Sequence, residues 1–215
     1  MEKPNIVEFK VEGRYALFTD PLTKLGGEKC SYHIPTYEAL KGILSSVYWK
    51  PTFIWIIDEL RVMKLIRTQT ISSKPVVYSG GNSLAIYTYL SDVEYQVKAH
   101  FEWNINRQDL SKDRNENKHH EVAKRMIEKG GRRDIFLGAR ECQGYVTPCS
   151  FDDGKGAYDE YGEISFGVMF HGFDYPDENG NDMFYARLWR PKMFNGKVEF
   201  IRPKRCEIRK EIRLM

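Results

Sequence analysis

Two stretches of helical period, each closed by a backbone breaker, interrupt a chain otherwise patterned for strands. Their placement limits the fold more than any other feature. In "PTYEALKGILSSVYWKP", Leu40, Ile43, Leu44 and Val47 fall on one face of a helix. Thr36 is placed to cap it, Glu38 sits in its first turn, and Pro51 ends it, which leaves Tyr48 in the last turn. The second helix, "HHEVAKRMIEKGG", is stopped by Gly130 and Gly131, with Asn117 as its expected N-cap. Before the first helix, Val7, Phe9 and Val11 alternate with Ile6, Glu8 and Lys10, the pattern of a strand with one buried face. The stretch "FTDPLTKLGGEK" is turn chemistry, marked by Asp20-Pro21 and Gly26-Gly27.

Between the helices, "TFIWIIDELRVMKLI" is rich in β-branched and aromatic residues and predicts a strand. The stretch "SLAIYTYLSDVEYQVKAHFEW" predicts two more around a turn at Ser91-Asp92. After the second helix, "RRDIFLGARECQGYV" predicts a strand interrupted at Gly138. The order strand, helix, strands, helix, strand is that of a ferredoxin-like (RRM-like, split βαβ) domain. Beyond Pro148 the short strands "EISFGVMFHGF", "MFYARLWRP" and "KVEFIRP" are joined by Asn179-Gly180 and Asn195-Gly196, both hairpin signals. The expected fold is therefore α+β, with a ferredoxin-like domain over 1–147 and a smaller antiparallel β domain over 148–215.

At 215 residues the chain can bury a proper core, and its mean hydropathy of −0.55 is that of a soluble protein. The longest apolar run, Phe53 to Ile57, is too short to cross a bilayer, and "MEKPNIVEFK" does not read as a signal peptide. Cys30, Cys142, Cys149 and Cys206 form no C-x-x-C pair, as expected of reduced thiols in a cytoplasmic protein without membrane partners. Charge is distributed unevenly. From Arg107 to Arg140 there are ten basic and six acidic residues, and from Ile201 to Met215 six and two. Ser150 to Phe200 holds five and ten. Two concentrated basic segments suit a polyanionic partner, although solvated faces account for them equally well.

No P-loop, G-x-S-x-G, H-E-x-x-H or Rossmann fingerprint is present. The acidic "DYPDENGND" has its glycine misplaced for an EF-hand and reads as a hairpin turn. The remaining candidate is "KHH", Lys118, His119 and His120, at the start of the second helix. Unpaired N–H groups and the helix dipole there favour an anion such as phosphate and a neutral, base-competent imidazole. A lysine beside it can neutralise charge on a phosphate oxygen. That composition suits RNA cleavage without metal or cofactor, in which a 2′-hydroxyl attacks its own phosphodiester. A surface cluster has the same appearance, so local sequence leaves both open. A shared metal ion is the weaker reading, because adjacent helical residues point about 100° apart.

The phrases "YALFTDPLTKLGGEKCSYHIPTYEALKGILSSVYWKPTF", "YQVKAHFEWN", "DRNENKHH", "GGRRDIFLGARECQGYV" and "FHGFDYPDE" together resemble one family. It is the subtype I-C (Dvulg) branch of the fifth family of CRISPR-associated proteins, within the RAMP superfamily. The resemblance runs over nearly the whole chain and implies a ferredoxin-like domain with a β-rich addition. It also implies an endoribonuclease that cuts CRISPR precursor RNA within the repeat hairpin and releases guide RNAs with a 5′ handle. The implied partners are that hairpin, the mature guide RNA, and the backbone and large subunits of the type I-C interference complex. The catalytic set it implies falls on Tyr48, from "YWKP", and on Lys118 and His119.

On its own, Tyr48 reads as an interfacial aromatic. A phenol with a pKa near 10 is a poor base, so an orienting or relaying role suits it better, with His119 as base or acid. His120 is an alternative imidazole and an RNA-binding candidate. Arg132, Arg133 and Arg140 are candidates for gripping the strand, with surface pairing to Asp134 and Glu141 as the alternative. Rival readings are a handle-binding subunit that cuts nothing and a metal-dependent DNA nuclease, for which no paired-carboxylate site stands out. A generic RRM-like binder is disfavoured, because no strand carries the aromatic RNP signature.

Overall fold

In a computed structural model that describes residues 4–21, 23, 28–75, 80–81, 83–180 and 183–212, the alternating start of the chain forms β1, Val7–Ala16. The Gly26-Gly27 turn lies outside the described residues. There follow β2 (Lys29–Cys30), α1 (Tyr37–Val47), β3 (Phe53–Val62), β4 (Thr68–Ser73) and β5 (Ala85–Trp103). The chain continues with α2 (Glu116–Glu128), β6 (Ile135–Phe136) and β7 (Gln143–Pro148). Helix α1 links β1 to β3, and α2 links β5 to β7. The central strands lie in the order β7-β1-β5-β3, each antiparallel to its neighbour.

Core-facing side chains of this sheet come at every second position, as the pleat requires. Phe9 and Val11 on β1, Phe53 and Trp55 on β3, and Val97, Ala99 and Phe101 on β5 are all buried. Helix α1 packs on β3 and β6, α2 packs on β1 and β7, and the two helices touch. The expected stripe Leu40, Ile43, Leu44 and Val47 is buried, and Thr36 Oγ1 accepts from Ala39 N at 3.1 Å as the expected cap.

Several local expectations need correction. Tyr48 is not in the last turn of α1. It is the C-cap, in extended conformation (φ −158°, ψ 127°), and its carbonyl is held off the helix axis by Trp55 Nε1 at 2.8 Å. The cap of α2 is Asn115, two residues ahead of the expected Asn117, and its side chain accepts from Lys118 N at 3.0 Å. The Ser91-Asp92 turn is absent. β5 bends through a left-handed Asp92 (φ 53°) but keeps pairing with β1 on both sides, Gly13 with Val93 and Tyr15 with Ser91. The strand expected across Gly138 is two short strands that pair antiparallel, so the chain reverses there. Gly138 sits at φ +89°, and a Cβ on it would lie 2.1 Å from the carbonyl oxygen of Leu17.

Beyond Pro148 come β8 (Glu163–Ser165), β9 (Met169–Asp174), α3 (Pro176–Asn179) and β10 (Tyr185–Trp189). The described chain closes with β11 (Lys192–Phe194), β12 (Lys197–Glu199) and β13 (Ile208–Glu211). The Asn195-Gly196 hairpin forms as expected, with both residues at positive φ (46° and 79°). Asn179-Gly180 instead ends the single turn of α3, whose Glu178 is bound to Lys41 at 2.6 Å, so the acidic segment is more than a hairpin turn. Strand β12 pairs with β3, so β12, β11 and β8 extend the main sheet, while β13-β10-β9 form a second one. No helix among the described residues is long and apolar enough to cross a membrane.

Candidate active site at the seam of the two helices

The extended backbone at Tyr48 turns its ring inward, onto the seam where α1 meets α2. There the Tyr48 hydroxyl lies 2.8 Å from His119 Nδ1. The two residues are 71 apart in sequence, and tertiary packing brings them together. His119 is fully buried in an aromatic box. Phe53, Trp103 and Phe101 present edges to its ring at centroid distances of 5.4, 5.8 and 6.3 Å, and Tyr48 lies nearly parallel at 6.0 Å.

The second ring nitrogen settles the tautomer. His119 Nε2 lies 2.7 Å from the backbone carbonyl of Asp113, which can only accept, so Nε2 carries a proton. In the neutral ring Nδ1 is then a lone pair, and the Tyr48 hydroxyl donates to it. Burial pushes the Tyr48 phenol above its ordinary value, the charge of Asp113 adds to the push, and Arg132 opposes it. The phenol therefore stays protonated near neutrality and serves as the donor of this pair.

Asp113, from the short 3₁₀ turn 108–113 before α2, joins the parts. Its Oδ1 binds Lys118 Nζ at 2.6 Å, its Oδ2 accepts from Thr52 Oγ1 at 3.1 Å, and Oδ2 lies 3.4 Å from His119 Nε2. The Lys118 ammonium holds the Asp113 carboxyl below its usual range, and the Thr52 hydrogen bond acts in the same direction. The α2 cap also consumes backbone donors. Lys118 N goes to the Asn115 side chain and His119 N to its carbonyl, so these two N–H groups are not free for a phosphate, contrary to the expectation for this helix end.

Thus Tyr48, His119 and Lys118 come together, with Lys118 exposed and the other two buried. His120 does not join them: its Nε2 lies 2.8 Å from the Ile6 carbonyl at the start of β1. Arg132 and Arg133 are placed beside the seam. Both backbone N–H groups bond to Ser46 O, at 3.3 and 3.2 Å, and the side chains line a groove with Trp49 and Lys50. Arg140 is exposed in the β6–β7 connection, outside that groove. None of the three arginines forms the ion pairs with Asp134 or Glu141 that were the alternative among the described residues. Nothing in the local sequence marks Asp113 or Thr52 as part of the site. Asp113 stands in the phrase "DRNENKHH", but only tertiary packing shows that its main chain reaches the His119 ring.

The chain matches the family described as "CRISPR-associated protein (Cas_Cas5)", in its Cas5d form, over residues 6–201. It is similar to a Mannheimia succiniciproducens protein named "CRISPR pre-crRNA endoribonuclease Cas5d", at 27% identity covering 91% of this chain and 94% of that one. A Thermus thermophilus protein of the same name is 28% identical over 66% of this chain and 63% of its own length. A solved structure, "Crystal Structure of CRISPR-associated Protein", superposes with a TM-score of 0.80 at 36% identity, covering 95% of this chain and 96% of that one. Because the family match takes in both helices and every residue that meets at their seam, the chain belongs to the Cas5d family of CRISPR-associated proteins.

Proposed function

We propose that the protein is a metal-independent endoribonuclease that cuts CRISPR precursor RNA within the repeat hairpin. It releases guide RNAs with a 5′ handle, works in the cytoplasm, and stays with its product as a subunit of the type I-C interference complex. The observation that carries this reading is the 2.8 Å contact between the Tyr48 hydroxyl and His119 Nδ1, with Lys118 held beside it through Asp113. The names of the two relatives, both pre-crRNA endoribonucleases, support the same reaction.

The chemistry follows from the hydrogen bonds. His119 has no exposed surface and Tyr48 keeps 3%, so in this reading the bound RNA presents its attacking 2′-hydroxyl at the Tyr48 edge of the seam and the proton reaches His119 through Tyr48. The phenol oxygen accepts that proton as its own passes to Nδ1. The resulting imidazolium is balanced by the Asp113 carboxylate at 3.4 Å. Bond formation between the 2′-oxygen and phosphorus breaks the bond to the 5′-oxygen, giving a 2′,3′-cyclic phosphate and a 5′-hydroxyl. The stored proton goes to the departing 5′-oxygen. Lys118, exposed at the mouth of the seam, neutralises charge on the phosphoryl oxygens.

One observation favours a second reading. A histidine with no exposed surface and both nitrogens satisfied also describes a purely structural core residue, as a handle-binding subunit would have. Repeat RNA incubated with the protein in excess EDTA separates the two, with Tyr48→Phe and His119→Ala alongside. The expected result is one cut ending in a cyclic phosphate. Each variant slows it by about 10²–10⁴-fold, with RNA binding kept. RNA held but uncut by the unmodified protein would leave the binding subunit, and cutting only with added metal would leave a metal-dependent nuclease.

A further inference from the structure

Tyr48 and Trp49 are neighbours in sequence with opposite fates. Extended backbone sends successive side chains to opposite sides. Tyr48 goes into the core at 3% exposure, while Trp49 stands 50% exposed just outside the seam. Its surroundings are fixed. Trp55 Nε1 holds the Tyr48 carbonyl, Phe53 N closes a turn onto Lys50 O at 3.4 Å, and Ser46 O takes the backbone donors of Arg132 and Arg133. The groove so formed is lined by Ser45, Ser46, Trp49, Lys50, Pro51, Arg132 and Arg133. Three cations flank the indole, no acidic side chain lines the groove, and none of the three makes an ion pair among the described residues. Arg132 reaches from the groove toward the seam: its charge opposes, without overcoming, the upward push of burial on the Tyr48 phenol.

An exposed indole among unpaired cations matches the chemistry of single-stranded RNA. The π face takes an unstacked base, and the cations take the phosphates on either side of it. We propose that Trp49 is the stacking platform for one unpaired base of the RNA next to the scissile phosphate, gripped by Lys50, Arg132 and Arg133. This rests on the RNA-processing reading above. It adds a positioning residue: a nucleotide pinned on Trp49 fixes how far the adjacent phosphodiester reaches toward the Tyr48 hydroxyl.

The test uses repeat RNA made uncleavable by a 2′-deoxy substitution at the cut, with 2-aminopurine placed in turn at each nucleotide flanking it. On binding, one position is expected to lose fluorescence through stacking. Trp49→Ala abolishes that loss and weakens binding about 5- to 150-fold. Trp49→Phe keeps most of both, and Tyr48→Phe keeps the quenching, which separates stacking from chemistry. Circular dichroism and the melting temperature of Trp49→Ala, expected to be unchanged, exclude misfolding as the cause. Unaltered quenching and affinity in Trp49→Ala, in a protein that cuts RNA, overturn the platform alone. An unmodified protein that neither binds nor cuts the RNA overturns the processing reading and the platform together. A Trp49→Ala protein that binds RNA normally but fails to join the other subunits assigns the indole to a protein interface instead, and so also overturns the platform.

Discussion

Asp113 illustrates how much of a site one residue can organise without being its reactive group. One carboxylate oxygen anchors Lys118, the other meets Thr52, and the main-chain carbonyl fixes the His119 tautomer. Its lowered pKa has a definite sign for stability. The folded state binds the proton less tightly than the unfolded chain. The contribution is therefore present above the unfolded value, near 3.8, and is lost as pH falls through the lower folded value. Asp113→Asn cannot titrate, so its unfolding free energy should fall less than that of the unmodified protein between pH 5 and pH 3, by urea denaturation. Equal falls would show that the carboxylate contributes nothing through ionisation. In the sequence, the Lys-His pair was visible as a candidate because its residue types suit phosphate chemistry. Tyr48 joined it only through resemblance, and Asp113 not at all. A phenol at a helix end and an aspartate in a polar loop carry no local mark of a partner 71 or 61 residues away.

Elements were legible where periodicity or punctuation is strong, and illegible where tertiary packing overrides a turn signal. The α1 stripe, its Thr36 cap and the Asn195-Gly196 hairpin follow from local chemistry. Ser91-Asp92 carries the same kind of turn signal. There β1 supplies partners on both sides of the bend, and continuing the ladder outweighs reversal. Gly138 shows the opposite failure. The stretch reads as a strand, but its glycine packs against the main chain after β1, where Leu17 N and Leu137 O bond at 2.9 Å. A methyl group there meets the Leu17 carbonyl at 2.1 Å in a left-handed backbone, so neither neighbour can give way cheaply. Gly138→Ala should lose about 2 kcal/mol or more of unfolding free energy. A denaturation midpoint within error of the parent would show that the β6–β7 reversal has slack that this packing does not allow.

At the scale of the whole molecule, the second sheet is held to the first by a buried polar seam set within the shared apolar core, to which Met169 and Trp189 belong. His171 on β9 stacks on Tyr37 of α1 at 4.3 Å, and its Nε2 donates to Ile201 O at 2.9 Å. Arg187 on β10 donates to its Nδ1 and is ion-paired with Asp174. Glu38 of α1 accepts from Phe173 N at 3.2 Å. Burial, reinforced by the Arg187 charge, pushes His171 down to about 3. A neutral buried histidine destabilises the folded state in acid. Its contribution is complete above the unfolded value of 6.5 and falls away as pH drops toward 3, because the unfolded chain takes up a proton that the folded chain refuses. The slope approaches about 1.4 kcal/mol per pH unit within that window. The sheet pair should therefore loosen first at this seam on acidification. Hydrogen exchange at the β9 and β10 amides should accelerate between pH 6.5 and 5, after correction for intrinsic rates, while that of β1 and β5 does not. His171→Gln keeps a polar group beside Ile201 O without the titration and should flatten that local trend. If the seam amides keep the same pH trend in the variant, the acid sensitivity of the second sheet does not originate at His171.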